Sequence, residues 1–448
     1  EEETSVVITV DCGTTSFEPI ETAMSAGLDV IVVDHHEAES SLPKAIAVIN
    51  PNRIDDDSPH GYLAAVGVTF LLIVAVNRLL RQANWYDERK EPDLFQWLDL
   101  VALGTICDVV PLRGVNRAFV KQGLKVMSKR GNLGLVALAD ISGIDEPPGT
   151  YHAGFVLGPR INAGGRVGKS DLGVRLLSSI DKKEVEEIAS ALNCYNNERQ
   201  EIEAKVQEEA VQQINQAEIK TASVVIAVGE GWHPGVIGIV ASRLKERFDR
   251  PSVVITLNKG IGVGSGRSVS GIDLGSAIIA ARQMGIISKG GGHAMAAGLT
   301  VDSDRIEDLK NFLNERLAVD LVSRPSTPLH LMDGALKISG VNLDLIETIE
   351  NVGPYGSGNP EPRFVITNVR INYANPVGKD QSHLKMSLTD ETGRRLSAIA
   401  FRSVDTDMGQ ALINHGGAPF HVSGKIRINS WNGRATVQLL VDDAAAVW

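Results

Sequence analysis

Cysteine is scarce in this chain of 448 residues, with only Cys12, Cys107 and Cys194. An odd number at unpatterned positions excludes a disulfide framework. It fits small buried fillers in a reducing, cytoplasmic setting. No uninterrupted apolar run reaches 18 residues, so no membrane-spanning segment is expected. No secretory leader pattern opens the chain, and its first residue is Glu1, not Met. Excess positive charge is also missing: the formal net charge is −11. That balance excludes a generally sticky nucleic-acid binder. What remains is 43% hydrophobic and 22% charged residues, ordinary for a globular protein, over a length that suggests about three domains.

Against that background one stretch stands out. Val30–Val33 is an apolar run that leads straight into Asp34, His35 and His36. The run reads as a buried strand of a parallel sheet, and open α/β sheets carry their ligands beyond the carboxyl ends of such strands. Val6–Val10 ends likewise at Asp11, and Val101–Ile106 leads to Cys107 and Asp108. If these are three parallel neighbouring strands, Asp11, His35, His36 and Asp108 converge on one edge. Carboxylate with imidazole suits Mn²⁺, Mg²⁺, Fe²⁺ or Zn²⁺. The bland alternative makes the acids helix caps and the histidines loop residues. Three such ends within about a hundred residues, one with paired histidines, favour a metal site. Asp34 then reads as an acid that orients its neighbours.

The rest of the chain divides by pattern. Residues 1–125 alternate strands and helices, with helices over Thr14–Gly27 and Leu63–Arg81 and a short strand at Ala45–Ile49. Residues 126–220 hold short helices and a glycine-rich turn, Gly158–Arg166. From Lys182 to Ala217 there is no Gly or Pro, which predicts one long helix with a single apolar stripe, a connector more than a core element. Residues 221–324 form a second α/β unit. Pro325–Pro328 marks a linker. Residues 325–448 carry five candidate strands: Phe364–Tyr373, His383–Leu388, Arg395–Phe401, Phe420–Ile428 and Ala435–Val441. Asn432–Gly433 is a hairpin signal. A small barrel of the OB type is expected, with a sandwich as the alternative.

Phosphate-binding candidates cluster in the second half. Residues 231–300 hold eight Lys or Arg and three acids, a basic excess compatible with a polyanionic substrate or with scattered solvated charge. Ser265 and Arg267 are two apart on a strand-like segment and face one side, placed to grip one phosphate. Gly290, Gly291 and Gly292 before His293 read as an anion-binding loop. Arg160 and Arg166 flank the glycine-rich turn, as clamps or as turn braces. Lys425, Arg427 and Arg434 near Trp431 suit backbone contacts with base stacking, unless the barrel is purely structural.

Asp11–Gly13, Asp34–His36, Asp108 and the later Gly290–His293 resemble the DHH/DHHA1 phosphoesterase superfamily. The long helix, the Ser265–Arg267 pair and the terminal barrel are similar to its RecJ family of single-strand-specific 5′→3′ DNA exonucleases, and the resemblance covers essentially the whole chain. It implies an α/β fold: a parallel-sheet DHH domain joined by a long helix to an α/β DHHA1 domain, plus a C-terminal OB-type β-barrel. It implies a two-metal phosphodiesterase of DNA repair and recombination, with Mn²⁺ or Mg²⁺ held in a cleft between the first two domains, two cations about 3.5–4 Å apart. Asp11 matches the acid that bridges the metals, His35 and Asp108 match metal ligands, and His36 the second histidine near the scissile phosphate. Ser265, Arg267 and Arg166 match groups that hold a 5′-terminal phosphate. Single-stranded DNA is the implied partner, with a single-strand-binding protein and a helicase as further candidates, no membrane, and a monomeric state. The family's first motif, Asp-x-Asp after a strand, is absent before Asp11. The expectation is an N-terminally truncated chain, itself inactive. The rival readings are a phosphodiesterase for short oligonucleotides or cyclic dinucleotides, which needs no barrel, and a non-catalytic strand-binding relative.

Overall fold

A computed structural model describes residues 4–214, 222–323, 329–431 and 434–447. The chain divides into two units: one takes Glu1–Gly131, Glu146–Gly154 and His330–Trp448, the other Asn132–Asp145 and Phe155–Leu329.

In the first unit, β1 (Val6–Val10), β2 (Asp29–Val33) and β3 (Ala47–Ile49) form a parallel sheet in that order. Val10 lies opposite Val33, and Val33 opposite Ile49. The ladder runs one residue further, because the Asp11 amide bonds the Val33 carbonyl and the Asp34 amide bonds the Ile49 carbonyl, at 2.9 and 3.0 Å. Asp11, Asp34 and Asn50 therefore stand in one row at the carboxyl edge. Helix α1 (Phe17–Ser25) returns the chain from β1 to β2 and buries Ile20 against Val30, Val32 and Val48. Helix α2 (Ala65–Gln82) turns Ala65, Gly67, Val68 and Phe70 inward and leaves Ile73, Val74, Val76 and Leu79 exposed. By length and composition it is the one helix among the described residues that could cross a membrane.

The third expected strand is a helix. Leu98–Cys107 forms α3, packed against α2 and against α4 (Gly114–Met127). Apart from Asp99 and Thr105, apolar residues occur on every side of it, so no period separates helix from buried strand. Length and the Leu/Ala content decide for helix. Close approach of α4 requires Gly123, where a Cβ would sit 2.0 Å from the Leu98 carbonyl oxygen. Asp108 thus follows a helix end, not a strand end.

The second unit opens with α5 (Leu133–Ile141), α6 (Gly158–Val167), α7 (Leu172–Ser178) and α8 (Lys182–Gln213). The glycine-rich segment expected as a turn is α6. Pro159 suits its first turn. Gly164 is there for packing, since a Cβ would meet the Lys169 carbonyl at 2.8 Å and Leu192 at 3.0 Å. Helix α8 is more than a connector. It buries Val185, Ile188, Ala189, Leu192, Val206 and Ala210 and packs against α5, α6 and α7 near its start. Further along it meets β4 (Val225–Glu230) and α9 (Pro234–Phe248).

Beyond it lie β5 (Ser252–Asn258), β6 (Ile261–Arg267), α10 (Leu274–Gln283), β7 (Lys289–His293), β8 (Ala296–Asp302) and α11 (Ile306–Val322). The strands form one mixed sheet in the order β4-β5-β6-β8-β7. Val254 faces α9, whereas Val253 and Ile255 face α10 and α11, the alternation a two-faced strand demands. The glycine run expected as an anion-binding loop is strand β7, paired with β8 from Gly292–Ala297 to Lys289–Thr300. Ile278 of α10 and Ile287 leave no room for a side chain at Gly290, and Gly292 (φ +153) would place a Cβ 2.3 Å from the Ala296 carbonyl.

The first unit resumes with β9 (Gly334–Leu336) and α12 (Leu343–Val352), then β10 (Phe364–Val377), β11 (His383–Thr389), β12 (Arg395–Ala400), α13 (Asp407–Ile413), β13 (Pro419–Trp431) and β14 (Arg434–Ala446). Pairings run β10–β11–β12–β14–β13 and back to β10, which closes a five-stranded barrel and excludes the sandwich. Met386, Leu388, Ala398, Val422 and Leu439 fill it. The Asn432–Gly433 turn and the Pro325–Pro328 linker lie outside the described residues.

Candidate active site

His35 is the centre of the carboxyl-edge cluster. Its Nδ1 lies 3.1 Å from the Leu63 carbonyl, which can only accept. Nδ1 therefore carries the proton, and in the neutral ring Nε2 holds a free lone pair. Nε2 stands 3.3 Å from Asp11 Oδ1 and 3.4 Å from Asp108 Oδ2. The Asp11 hydrogen bond raises the imidazole pKa above its usual value; burial opposes this and the Asp108 charge adds to it. Burial raises the Asp108 carboxyl, and the nearby Asp11 charge adds, against the pull of both histidines. Two carboxylates held against one imidazole repel each other, and a cation relieves that repulsion.

Asp34 lies beneath. It is 1% exposed and accepts the Thr14 amide at 3.0 Å, the His35 amide at 2.8 Å and His36 Nδ1 at 2.7 Å. Burial alone would raise its pKa, but the hydrogen bonds from His36, Thr14 and His35 outweigh burial and hold the carboxyl well below the usual range. The bond to Asp34 fixes His36 with Nε2 turned outward on a half-exposed ring. Donor atoms of Asp11, His35 and His36 lie within 4.8 Å of one another. Hard carboxylate oxygens with one or two imidazole nitrogens fit Mn²⁺ or Mg²⁺.

Sequence reasoning missed the groups that hold this triplet. Asn50 Nδ2 donates to Thr14 Oγ1 at 2.9 Å and to the His36 carbonyl at 2.8 Å, and Asn52 Nδ2 donates to the His35 carbonyl. Asn50 stands in the same row as Asp11 and Asp34, so strand register would have found it. The Leu63 carbonyl left no trace in the residue pattern.

In the second unit, Ser265 and Arg267 face one side of β6, and Arg267 Nη1 donates to Ser265 Oγ at 3.1 Å. Helix α9 abuts them: a Cβ on Gly238 would lie 3.0 Å from Ser265 Oγ and 3.2 Å from Arg267 Nη2. Arg166 donates from Nη1 to the Gly235 carbonyl at 2.9 Å, in the first turn of α9. Arg160 is engaged from Nε to Asn193 at 3.0 Å and from Nη1 to the Val156 carbonyl at 2.8 Å. Burial lowers the pKa of Arg160, Arg166 and Arg267, and like charge lowers it further: Arg199 for the first two, Arg166 for Arg267. Arg199, on α8, is buried and bonds Glu203 at 2.9 Å and Asn196 at 3.0 Å, while its Nε has no partner. Crowded, partly desolvated guanidinium groups repel one another, and an anion would relieve that repulsion. Arg199 was legible in principle, because Leu192, Asn196, Arg199, Glu203 and Val206 continue the buried stripe with polar residues at its middle.

Register brings a further candidate to the same face of the sheet. Ser265 pairs with Gly298 and Gly298 with Gly291; Arg267 pairs with Ala296 and Ala296 with His293. His293 therefore stands on the same face as Arg267, two strands away, roughly 10 Å. Between them nothing lies within 4 Å of a Cβ built on Gly291 or Gly298. The floor is bare.

On the barrel, Lys425 and Arg427 share Glu361, at 3.6 and 2.6 Å, so their charge is already met by an acid. The side chains of Trp431 and Arg434 lie outside the described residues.

Three family models match along the chain: the N-terminal domain of the DHH family over residues 2–105, the DHHA1 domain over 221–319 and the RecJ OB domain over 332–443. The single-stranded-DNA-specific exonuclease RecJ of Bacillus subtilis is 34% identical over 98% of this chain and 54% of its own length. That of Haemophilus influenzae is 35% identical over 98% of this chain and 77% of its own. The chain thus spans about half the length of the first relative and about three quarters of the second. The crystal structure of RecJ in complex with Mn²⁺ from Thermus thermophilus superposes with a TM-score of 0.82 at 28% identity, over 98% of this chain and 62% of that one.

Proposed function

The chain belongs to the RecJ family of single-stranded-DNA-specific exonucleases, and on that premise we propose that it supplies metal-binding and strand-binding residues for metal-dependent hydrolysis of phosphodiester bonds in single-stranded DNA, from the 5′ end. The observation behind it is the position of His35 Nε2, set between Asp11 and Asp108 while Nδ1 faces the Leu63 carbonyl. These three residues hold Mn²⁺ or Mg²⁺. The cation, when bound, supplies an activated water and neutralises charge on the phosphoryl oxygens.

The chain's own residues do the rest. Asp34 keeps Nδ1 of His36 as the donor, so His36 offers Nε2 toward the scissile phosphate. Ser265, Arg267 and Arg166 hold the terminal 5′-phosphate, with Arg160 adding to the positive field. His293 takes a further phosphate oxygen across the bare floor of Gly291. The barrel binds the strand beyond the site, which favours oligonucleotides over dinucleotides. A single-strand-binding protein and a helicase, which supply such strands, are the protein partners this reading adds.

The test is Mn²⁺ calorimetry on the chain, together with relative rates on a 5′-phosphorylated 20-mer and a dinucleotide using the full-length protein. Metal binding that Asp11→Ala removes, with faster cleavage of the 20-mer, is expected. Metal binding indifferent to Asp11→Ala, or equal rates on both substrates, would overturn the proposal.

A further inference from the structure

The segment from the end of α12 into the barrel, Gly353–Glu361, docks on the turn that follows Asp108. The Leu112 amide donates to the Ser357 carbonyl at 2.6 Å. Arg117, on α4, donates to the carbonyls of Val352 and Gly353. The segment is closed on itself: Asn359 Nδ2 donates to the Pro354 carbonyl at 2.8 Å, and Gly356 and Asn359 exchange backbone hydrogen bonds at 3.0 and 3.2 Å. Side-chain-free positions make the contact close. A Cβ on Gly356 would lie 2.8 Å from Leu112, and one on Gly358 (φ +67) 2.7 Å from Pro111. At the other end Glu361, 13% exposed, is bonded to Arg427 of β13 at 2.6 and 3.0 Å.

The turn needs such a support. Val109, directly after Asp108, has φ +60. A β-branched residue in the left-handed region is strained and keeps that conformation only where its surroundings impose it. Its own side chain is exposed and packs on little. What fixes the turn lies just downstream: buried Leu112, the Asn116 amide on the Pro111 carbonyl at 3.1 Å, and the docked segment.

We propose that Gly353–Glu361 is a positioning strut for Asp108, which fixes residues 109–112 and so holds the Asp108 carboxylate against His35 and Asp11, and which ties that position to the barrel through Glu361. Asn359 and Arg117 are its positioning residues. The proposal rests on Asp108 being a metal ligand. It makes the barrel part of the metal centre's scaffold as well as a strand-binding surface.

The test compares the chain with Asn359→Ala, Arg117→Ala, Arg117→Lys and Asp108→Ala, each checked for folding by circular dichroism. Mn²⁺ affinity is read from the electron paramagnetic resonance signal of free Mn²⁺. Deuterium uptake is followed over residues 105–116 and 350–362. Asn359→Ala and Arg117→Ala are expected to weaken Mn²⁺ binding about ten-fold, as loss of groups that orient ligands does. They should also speed exchange over 105–116, with Arg117→Lys recovering part of both. Faster exchange over 350–362 with unchanged Mn²⁺ affinity and unchanged exchange over 105–116 overturns the strut. If Asp108→Ala abolishes Mn²⁺ binding in that same experiment, the metal reading stands without it. If Asp108→Ala leaves Mn²⁺ binding intact, Asp108 is not a ligand and the strut's role falls with it, whatever Asp11→Ala shows of the metal centre. Should Arg117→Ala fail to fold, Asn359→Ala and Arg117→Lys carry the same comparison.

Discussion

His36 donates from Nδ1 to Oδ1 of Asp34 at 2.7 Å, across two residues at the end of a parallel strand. The buried carboxylate is thereby locked to the ring that it orients. Its folded-state pKa is depressed below the ordinary 3.8. Its stabilisation is therefore complete above that pH and is lost as the pH falls through the depressed value. Asp34→Asn is expected to lower stability by about 2–3 kcal/mol at neutral pH. Urea titrations of both proteins at pH 7 and pH 3 check this: the gap narrows in acid, and a constant gap contradicts it.

Asp11→Asn and Asp108→Asn each remove one carboxylate charge from the pair that faces His35 Nε2. Mn²⁺ affinity should fall by at least about a hundred-fold in each, more than for loss of an orienting group alone. Calorimetric titration reads the effect directly. Wild-type affinity in either variant would remove that residue from the centre.

Arg267→Ala removes the guanidinium that bonds Ser265. The preference for a 5′-phosphorylated over a 5′-hydroxyl single strand should drop by roughly ten- to a hundred-fold, the scale of one charge-assisted hydrogen-bonded pair. Arg267→Lys should keep part of it, since an ammonium restores charge without the planar fork. Competition binding with the two strand types measures the ratio. An unchanged ratio in Arg267→Ala means the terminal phosphate is read elsewhere.

Gly123→Ala forces a methyl group against the Leu98 carbonyl and the Ala102 side chain, at 2.0 and 2.5 Å before relaxation. Overpacking of this kind costs about 1–3 kcal/mol. Thermal unfolding should show the loss, and because α3 carries Asp108 at its end, Mn²⁺ affinity should fall with it. An unaltered melting temperature would mean that α3 and α4 separate without penalty.

The site was legible where register and chemistry coincide. Asp11 and the Asp34–His36 triplet end adjacent parallel strands, and an apolar run before an acid says as much. Asp108 was legible as an acid but not as the end of a helix, because a uniformly apolar segment has no period to read. The glycines at 290–292 suggested a loop, since loops and tightly packed strands both select glycine; only the neighbours Ile278 and Ala296 tell them apart. The target on which Gly353–Glu361 docks was not legible. A backbone carbonyl such as that of Ser357 or Leu63 belongs to every residue, so its use cannot be read from residue type.

Closure of the barrel separates two kinds of inheritance. Its five strands satisfy one another around the ring, and its interior is set by Met386, Leu388, Ala398, Val422 and Leu439. Outward positions such as Tyr373, Lys385 and Phe401 contribute little to that closure and remain exposed. Selection can rewrite the outer face while the inner alphabet stays small and apolar. Relatives that diverge in what they grip can therefore do so without rebuilding the domain, and drift should concentrate on one side of each strand at every second residue.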